Sequence, residues 1–380
     1  MNHNKKNLLV DGHFLTGTSQ GTRTYIIGVY NALIKMYGAD YNLFIAGHDK
    51  TKVLKVIPIK EENFIQYRRN SNYFRLFIDL PKIIKKYNID YAHFQQIAPI
   101  IKGCKFITTV HDLLFISYPE QFPLFFRISR NMLFKKSLKQ SEIKLTVSNH
   151  SREEIKQYYS ISPDQVFITP NGVNEVFFDN HNKKIIRDKL YKKYNLDSYI
   201  LFVSRVEPRK NHISLLRAYY NLRLYEKGIH LVFIGKKAIN VPGLDILVSK
   251  IETEIKNKFH HFEFVGDDQL IEFYRAASYF VYPSIAEGFG IPPLEAAAAE
   301  VPVLCSNQTA MKDYENLGIT MFNPNNDKEL QEKLKDLVLS NSKANSFELK
   351  KTKNLIKMKY NWDFSATVLH NEILKSLKND

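Results

Sequence analysis

Cysteine is nearly missing: the 380 residues hold only Cys104 and Cys305. Two thiols so far apart make no disulfide framework, zinc knuckle or redox motif, and they read as buried thiols of a reducing compartment. Long apolar runs are missing too. The amino-terminal stretch has three apolar residues before Asp11, too few for a signal peptide, and no later run reaches the roughly 18 residues of a membrane span. Glycine (15) and proline (14) are too scarce for a collagen or a low-complexity chain. Acidic residues are in deficit: 39 Asp and Glu face 54 Lys and Arg, for a net charge of +15. The deficit is concentrated in residues 1–172, where 24 basic residues meet 13 acidic ones. A basic first half suggests an anionic partner, such as a lipid headgroup, a phosphorylated acceptor or nucleic acid; a Lys-rich composition bias is the alternative.

What is present is an ordinary globular composition, 44% hydrophobic and 24% charged, long enough for two domains. Short branched apolar runs alternate with helical stretches, the pattern of a parallel sheet with crossover helices, and the series occurs twice. The first predicts strands at 7–10, 41–46, 91–94, 105–110 and 143–147. The second predicts them at 199–203, 230–234, 262–265, 279–282 and 301–305. Turn chemistry at Thr169-Pro170-Asn171-Gly172 and a polar stretch separate the two. The expected organisation is a first lobe over 1–172, a linker over 173–195, a second lobe over 196–360 and a last helix over 361–380. Two doubly wound lobes of this kind would form a cleft at the carboxyl ends of their strands. At about 100° per residue, a helix near 72–87 puts Tyr73, Leu76, Phe77, Leu80, Ile83, Ile84 and Tyr87 on one arc and Arg75, Asp79, Lys82, Lys85 and Lys86 on the other. Arg75, Lys82, Lys85 and Lys86 would suit an anionic membrane surface, or form a solvated face over the sheet.

The densest chemical signal is Val281-Tyr-Pro-Ser-Ile-Ala-Glu-Gly-Phe-Gly-Ile-Pro-Pro-Leu-Glu295. Pro292 and Pro293 open a helix, which leaves Gly288 and Gly290 in the loop ahead of it, where backbone N–H groups and the helix dipole favour a pyrophosphate. Glu287 and Glu295 flank that loop, so each can accept hydrogen bonds from sugar hydroxyls. After the strand at 199–203, Arg205 and Lys210 stand where a doubly wound lobe neutralises phosphates. His111, beside Asp112, closes the strand at 105–110. Gly17 to Arg23 form a glycine-containing loop that lacks the dinucleotide fingerprint, which argues against NAD. His260-His261 has no companion ligands, and no metal site is expected. The serine elbow and the phosphate-loop lysine motif are both missing.

The ordered set resembles the retaining glycosyltransferases of family four and their bacterial mannosyltransferase-like branch. It comprises Val10-Asp11-Gly12 with Gly21, Val110-His111-Asp112-Leu113, Val147-Ser148, Pro170-Asn171-Gly172-Val173, Arg205 with Glu207 to Asn211, Phe264-Val265-Gly266, and Tyr282-Pro283-Ser284 through Glu287 to Ala296. The resemblance implies an α/β chain of the GT-B fold, two Rossmann-like doubly wound lobes facing across a cleft. It implies catalytic roles for Glu287, Arg205, Lys210 and His111, with donor contacts from Glu295, Gly288, Phe289, Gly290, Ile291, Gly21 and Gly266. It further implies that no cofactor or metal is required beyond a nucleotide-sugar donor. Two departures are visible: Thr22-Arg23-Thr24-Tyr25 follows the loop glycine, and Glu300 stands where a glycine commonly ends the helix, which predicts a different helix end.

The expected activity is transfer of a hexose, with mannose from GDP-mannose as the first choice, to a lipid-linked or growing polysaccharide acceptor in surface-glycan synthesis at the cytoplasmic membrane face. Another nucleotide-sugar donor, or a silent binding scaffold, stays open beside it. Nucleic acid is not an expected partner, since no recognised module is present.

Overall fold

The computed structural model describes residues 5–16, 20–241, 243–251, 253–255, 257–340 and 346–378. The chain forms two units, Met1–Gly172 with Tyr360–Asp380, and Val173–Lys359.

In the first unit seven parallel strands, β1 (Lys6–Asp11), β2 (Tyr41–Gly47), β3 (Phe64–Gln66), β4 (Tyr91–Gln95), β5 (Lys105–Val110), β6 (Ile143–Thr146) and β7 (Val166–Ile168), lie in the order β3-β2-β1-β4-β5-β6-β7. The central strands are buried on both faces: Leu8, Leu9, Val10, Ala92, Phe94, Phe106 and Ile107 have no exposed surface. That burial is why they read as continuous apolar runs. Helix Gln20–Tyr37 packs against Trp362–Lys378, the last helix. Gly28 makes this approach possible, because a Cβ there would stand 2.2 Å from the Trp362 ring. The Tyr37 ring stacks on His370 at 3.8 Å, and the Tyr41 hydroxyl lies 2.8 Å from His370 Nδ1.

The second unit has six parallel strands, β8 (Ser198–Val203), β9 (Ile229–Ile234), β10 (Phe259–Phe262), β11 (Tyr279–Tyr282), β12 (Val303–Ser306) and β13 (Thr320–Phe322), in the order β10-β9-β8-β11-β12-β13. The winding order reverses between the adjacent parallel strands β8 and β11, so the loops leaving their carboxyl ends turn toward opposite faces of the sheet. The observed β10 sits three residues earlier than the predicted 262–265, and Phe264 is exposed. Cys305 is buried in β12, whereas Cys104 is only half-buried.

Three sequence expectations need correction. The stretch 173–195 is folded rather than a bare linker: Asn182 caps helix Lys183–Tyr194 by accepting from the Lys184 and Ile185 N–H groups, and Arg187 donates to Ala276 O and Ser278 Oγ, both at 3.0 Å. The helix near 72–87 contains a π-turn over Arg75–Asp79, with Leu80 N–H donating to Arg75 O five residues back. The extra residue rotates the outer face, so Arg75 and Asp79 are buried, Tyr73 and Phe77 are exposed, and only Lys82, Lys85 and Lys86 of the expected basic face meet solvent. Glu300 adopts the left-handed conformation after all, at φ +57°, with its carboxylate 2.8 Å from Lys353 Nζ, an ion pair that offsets the backbone strain.

Candidate active site

The neighbouring carboxyl ends of β8 and β11 carry the two loops singled out in the sequence. Pro208–Lys210 makes one turn of 3-10 helix after β8, and Asn211, at φ +58°, redirects the chain into helix His212–Asn221. Ile285 N–H donates to Arg209 O at 2.8 Å and joins this loop to the one after β11.

Glu287 sits where the loops meet and is buried. Its Oε1 pairs with the Lys210 ammonium and accepts from the Tyr282 and Ser284 hydroxyls at 2.9 and 2.7 Å, while its Oε2 lies 3.1 Å from Arg209 Nη1. Its backbone N–H donates to Thr309 Oγ1 at 2.9 Å. Burial alone would raise the Glu287 pKa, but Lys210 and Arg209 together pull it down to about 2. The carboxylate is thus charged and held by four partners, three of them on Oε1, unsuited to general-base chemistry at neutral pH. Burial also pushes the Lys210 ammonium below its ordinary pKa, partly opposed by Glu287. Glu207 extends the chain of charges, lying 2.9 Å from Arg205 Nη2 and 3.0 Å from Arg209 Nη2. Arg205 is the outermost member, its side chain 55% exposed. Three cations therefore share two carboxylates at a switch point, which leaves a net positive charge there.

Gly290 precedes helix Ile291–Ala298 at φ +89°, a conformation that L side chains avoid. The Tyr314 hydroxyl holds this turn by bonding to the Phe289 and Gly290 carbonyls at 2.5 and 3.1 Å. Since Pro292 and Pro293 carry no N–H, any anion held by the amides here relies on the loop from Gly288 to Ile291. Glu295 lies one turn into the helix, beside the Tyr274 hydroxyl, which favours its charged form. Burial dominates and raises its pKa to about 7.

Glu287, Lys210, Arg205 and the Gly288-to-Ile291 loop are thus brought together, with Glu295 on the helix that the loop starts. Gly266 stands on a different loop from this cluster, as the N-cap of the helix after β10. It follows edge strand β10, two strands or about 10 Å from β8, and starts helix Asp267–Ala276, whose first turn carries Asp267 and Asp268 against any anion. Gly21 lies inside helix Gln20–Tyr37 rather than in the loop before it, and a Cβ there would meet nothing within 4 Å. Gly17, Thr18 and Ser19 of the expected loop lie outside the described residues. The sequence reading missed Arg209, Tyr282, Ser284 and Thr309. Arg209 had a signal, since it adjoins Lys210 in the same basic run.

In the first unit, His111 follows β5 and its Nε2 lies 2.9 Å from Gln95 Oε1. The Tyr25 ring meets it edge-on at 5.0 Å. Burial lowers the His111 pKa to about 4, so the imidazole is neutral at pH 7, with the proton on Nε2. Beside it, the ends of β1, β4 and β5 surround a pocket of about 300 Å³ lined by His13, Arg75, Gln95, Asp112, Phe126 and Arg130, among others. Asp11 pairs with the lining Arg75 and accepts from the Tyr67 hydroxyl at 2.7 Å. Among the described residues no cluster of three or more His, Cys, Asp or Glu side chains could hold a metal ion, and no helix is long and apolar enough to cross a membrane.

Comparison with known proteins agrees with this architecture. Residues 19–177 match the family model of Glycosyltransferase Family 4, and residues 183–357 that of Glycosyl transferases group 1. The O-antigen chain mannosyltransferase RfbU of Salmonella typhimurium is 29% identical over 231 residues, 60% of each chain. The O-antigen chain mannosyltransferase B of Escherichia coli is 32% identical over 214 residues, 54% of each chain. The chain thus matches a little over half the length of these relatives. A crystal structure of a glycosyltransferase from Rickettsia africae superposes with a TM-score of 0.75 at 22% identity, covering 99% of this chain and 100% of that one, and establishes the shared fold. With one glycosyltransferase model on each unit and a whole-chain structural match, this protein belongs to the GT-B glycosyltransferases, its first unit of Family 4 and its second of group 1.

Proposed function

We propose that the protein is a retaining hexosyltransferase that moves mannose from GDP-mannose to a lipid-linked or growing polysaccharide acceptor in surface-glycan synthesis. The observation that carries this reading is the cluster Arg205, Glu207, Arg209, Lys210 and Glu287 at the switch point of the second unit, next to a glycine turn and Glu295. The two mannosyltransferase relatives support the choice of sugar.

In this reading Glu295 accepts hydrogen bonds from the ribose hydroxyls of the donor. Arg205 and Lys210 bind the diphosphate, aided by the backbone of Phe289 to Ile291, and stabilise the charge that grows as the bond between sugar C1 and phosphate oxygen breaks. An acceptor hydroxyl forms the new C1–O bond on the same face and gives its proton to the departing phosphate, so the anomeric configuration is kept. Glu287 holds Arg209 and Lys210 in place and contacts the hexose. Side-chain cations carry the phosphate charge, so turnover is proposed to proceed without a metal ion. The first-unit pocket takes the acceptor, with neutral His111 beside it as a hydrogen-bonding group. The protein works at the cytoplasmic membrane face as a peripheral enzyme.

The test is an NMR assay of product formed from GDP-mannose and an undecaprenyl-diphosphate-linked oligosaccharide, with and without chelator. An α-linked mannoside formed in both conditions supports the reading. An inverted linkage, or no transfer from any sugar nucleotide, refutes it.

A further inference from the structure

Helix Leu124–Gln140 presents apolar side chains to the solvent side. Leu124 is 65% exposed, Phe125 84%, Ile128 52% and Met132 68%. At about 100° per residue these four fall within one arc of about 100°, and Lys135, Lys136 and Lys139 continue the same arc over the last turns. The buried side of the helix carries Phe134, Ser137 and Leu138. A soluble helix normally puts its polar side outward, so this outward face is inverted over its first half. No Asp or Glu occurs between Glu120 and Glu142, while Arg127, Arg130, Lys135, Lys136 and Lys139 do.

Resting on the lipid-linked acceptor of the proposed function, we propose that this outward face docks on an anionic lipid surface. Leu124, Phe125, Ile128 and Met132 enter the headgroup layer, and Lys135, Lys136 and Lys139 pair with lipid phosphates. Charge selects this occupant. A second copy would bring the same lysines against one another, whereas anionic headgroups neutralise them. The placement also has a use. Phe126, Arg130 and Phe134 of the same helix line the first-unit pocket, so one helix would be both its wall and the anchor that sets it against the lipid surface. The basic helix expected from sequence is the poorer anchor, because its Arg75 is buried.

The experiment is flotation with vesicles of phosphatidylethanolamine and phosphatidylglycerol, compared with phosphatidylcholine alone. Wild type should float with the anionic vesicles only. Changing Phe125→Ser, Ile128→Ser and Met132→Ser together should weaken that binding roughly 100-fold, as should Lys135→Glu, Lys136→Glu and Lys139→Glu together. Lys82→Glu, Lys85→Glu and Lys86→Glu should leave it near wild type. Melting curves and guanosine diphosphate binding on each variant report whether the fold and donor site survive. Wild-type binding by the triple-Ser variant overturns the proposal, as does equal flotation on phosphatidylcholine or a wild-type dimer that the triple-Ser change dissociates. Failure of wild type to float while it still binds nucleotide overturns the docking alone and leaves the glycosyltransferase reading standing.

Discussion

Lys210 and Glu287 are 77 residues apart in the chain and form a buried ion pair across the ends of adjacent strands. Each needs the other, because an unpaired charge at this depth is costly. Lys210→Ala should therefore destabilise the protein by about 3 kcal/mol and, on the proposed function, depress turnover more than donor binding, since Arg205 and Arg209 would still attract the donor's diphosphate. Denaturation and steady-state kinetics check this. Wild-type turnover in the variant would place the diphosphate elsewhere.

The same pair sets the acid limit of the fold. The Glu287 pKa is depressed from 4.5 to about 2, so its stabilising contribution is fully present above about pH 4.5 and is lost as pH falls toward 2. Asp11, depressed below its ordinary range although burial opposes this, acts in the same direction. Urea melts should show stability falling through this window, with a shallower fall in Glu287→Gln; an equal slope in the variant would contradict the assignment.

Glu295 has the opposite sign. Its pKa, raised by burial to about 7, means the unliganded fold prefers the neutral carboxyl, and stability declines from about pH 4.5 up to 7. In the proposed complex, ribose hydroxyls donating to the carboxylate would reverse that preference. Donor affinity should accordingly rise with pH through 7, and binding should release a proton. Glu295→Gln should make the free protein more stable at pH 8 while weakening donor binding by roughly tenfold. Calorimetry in two buffers of different ionisation enthalpy measures both effects, and pH-independent binding in wild type would remove the ribose role.

Gly290→Ala tests the loop. At φ +89°, with a new Cβ 3.3 Å from Met311 Cγ, the substitution should cost roughly 1–2 kcal/mol and weaken donor binding by shifting the amides of Phe289 to Ile291. An unchanged melting temperature and affinity would show that the turn tolerates a side chain.

His111, neutral at pH 7 through its burial, should leave no inflection near pH 6.5 in the rate profile. His111→Asn, which keeps a donor, should retain more turnover than His111→Leu. Equal losses would point to packing against Tyr25 instead.

The central strands were legible because they are buried on both faces and read as unbroken branched runs. Strands β3, β7 and β13 were not, since each is a three-residue sheet edge, too short for a run or an alternation to show. The Arg75 error has a single cause: an angle sum assumes one helical period, and a π-turn adds a residue that no composition signal marks. Helix Leu124–Gln140 shows the converse, because exposed and buried apolar residues look alike until the packing is known. In the site, Glu287, Lys210 and Arg205 stood out as motif residues. Tyr282 and Ser284 belonged to the motif without a site role, and Thr309 to no motif, because their work lies in hydrogen bonds that only the folded loops bring together.

On the proposed function, the second unit binds a guanosine diphosphate sugar through Lys210 and Glu295. A thermal-shift screen of wild type, Lys210→Ala and Glu295→Ala with GDP, UDP, dTDP and ADP and their sugars tests it, because a ligand that binds only the folded state raises its melting point. The largest shift is expected with GDP-mannose and GDP in wild type, reduced in both variants. No shift with any nucleotide, or an equal shift in all three proteins, would contradict it.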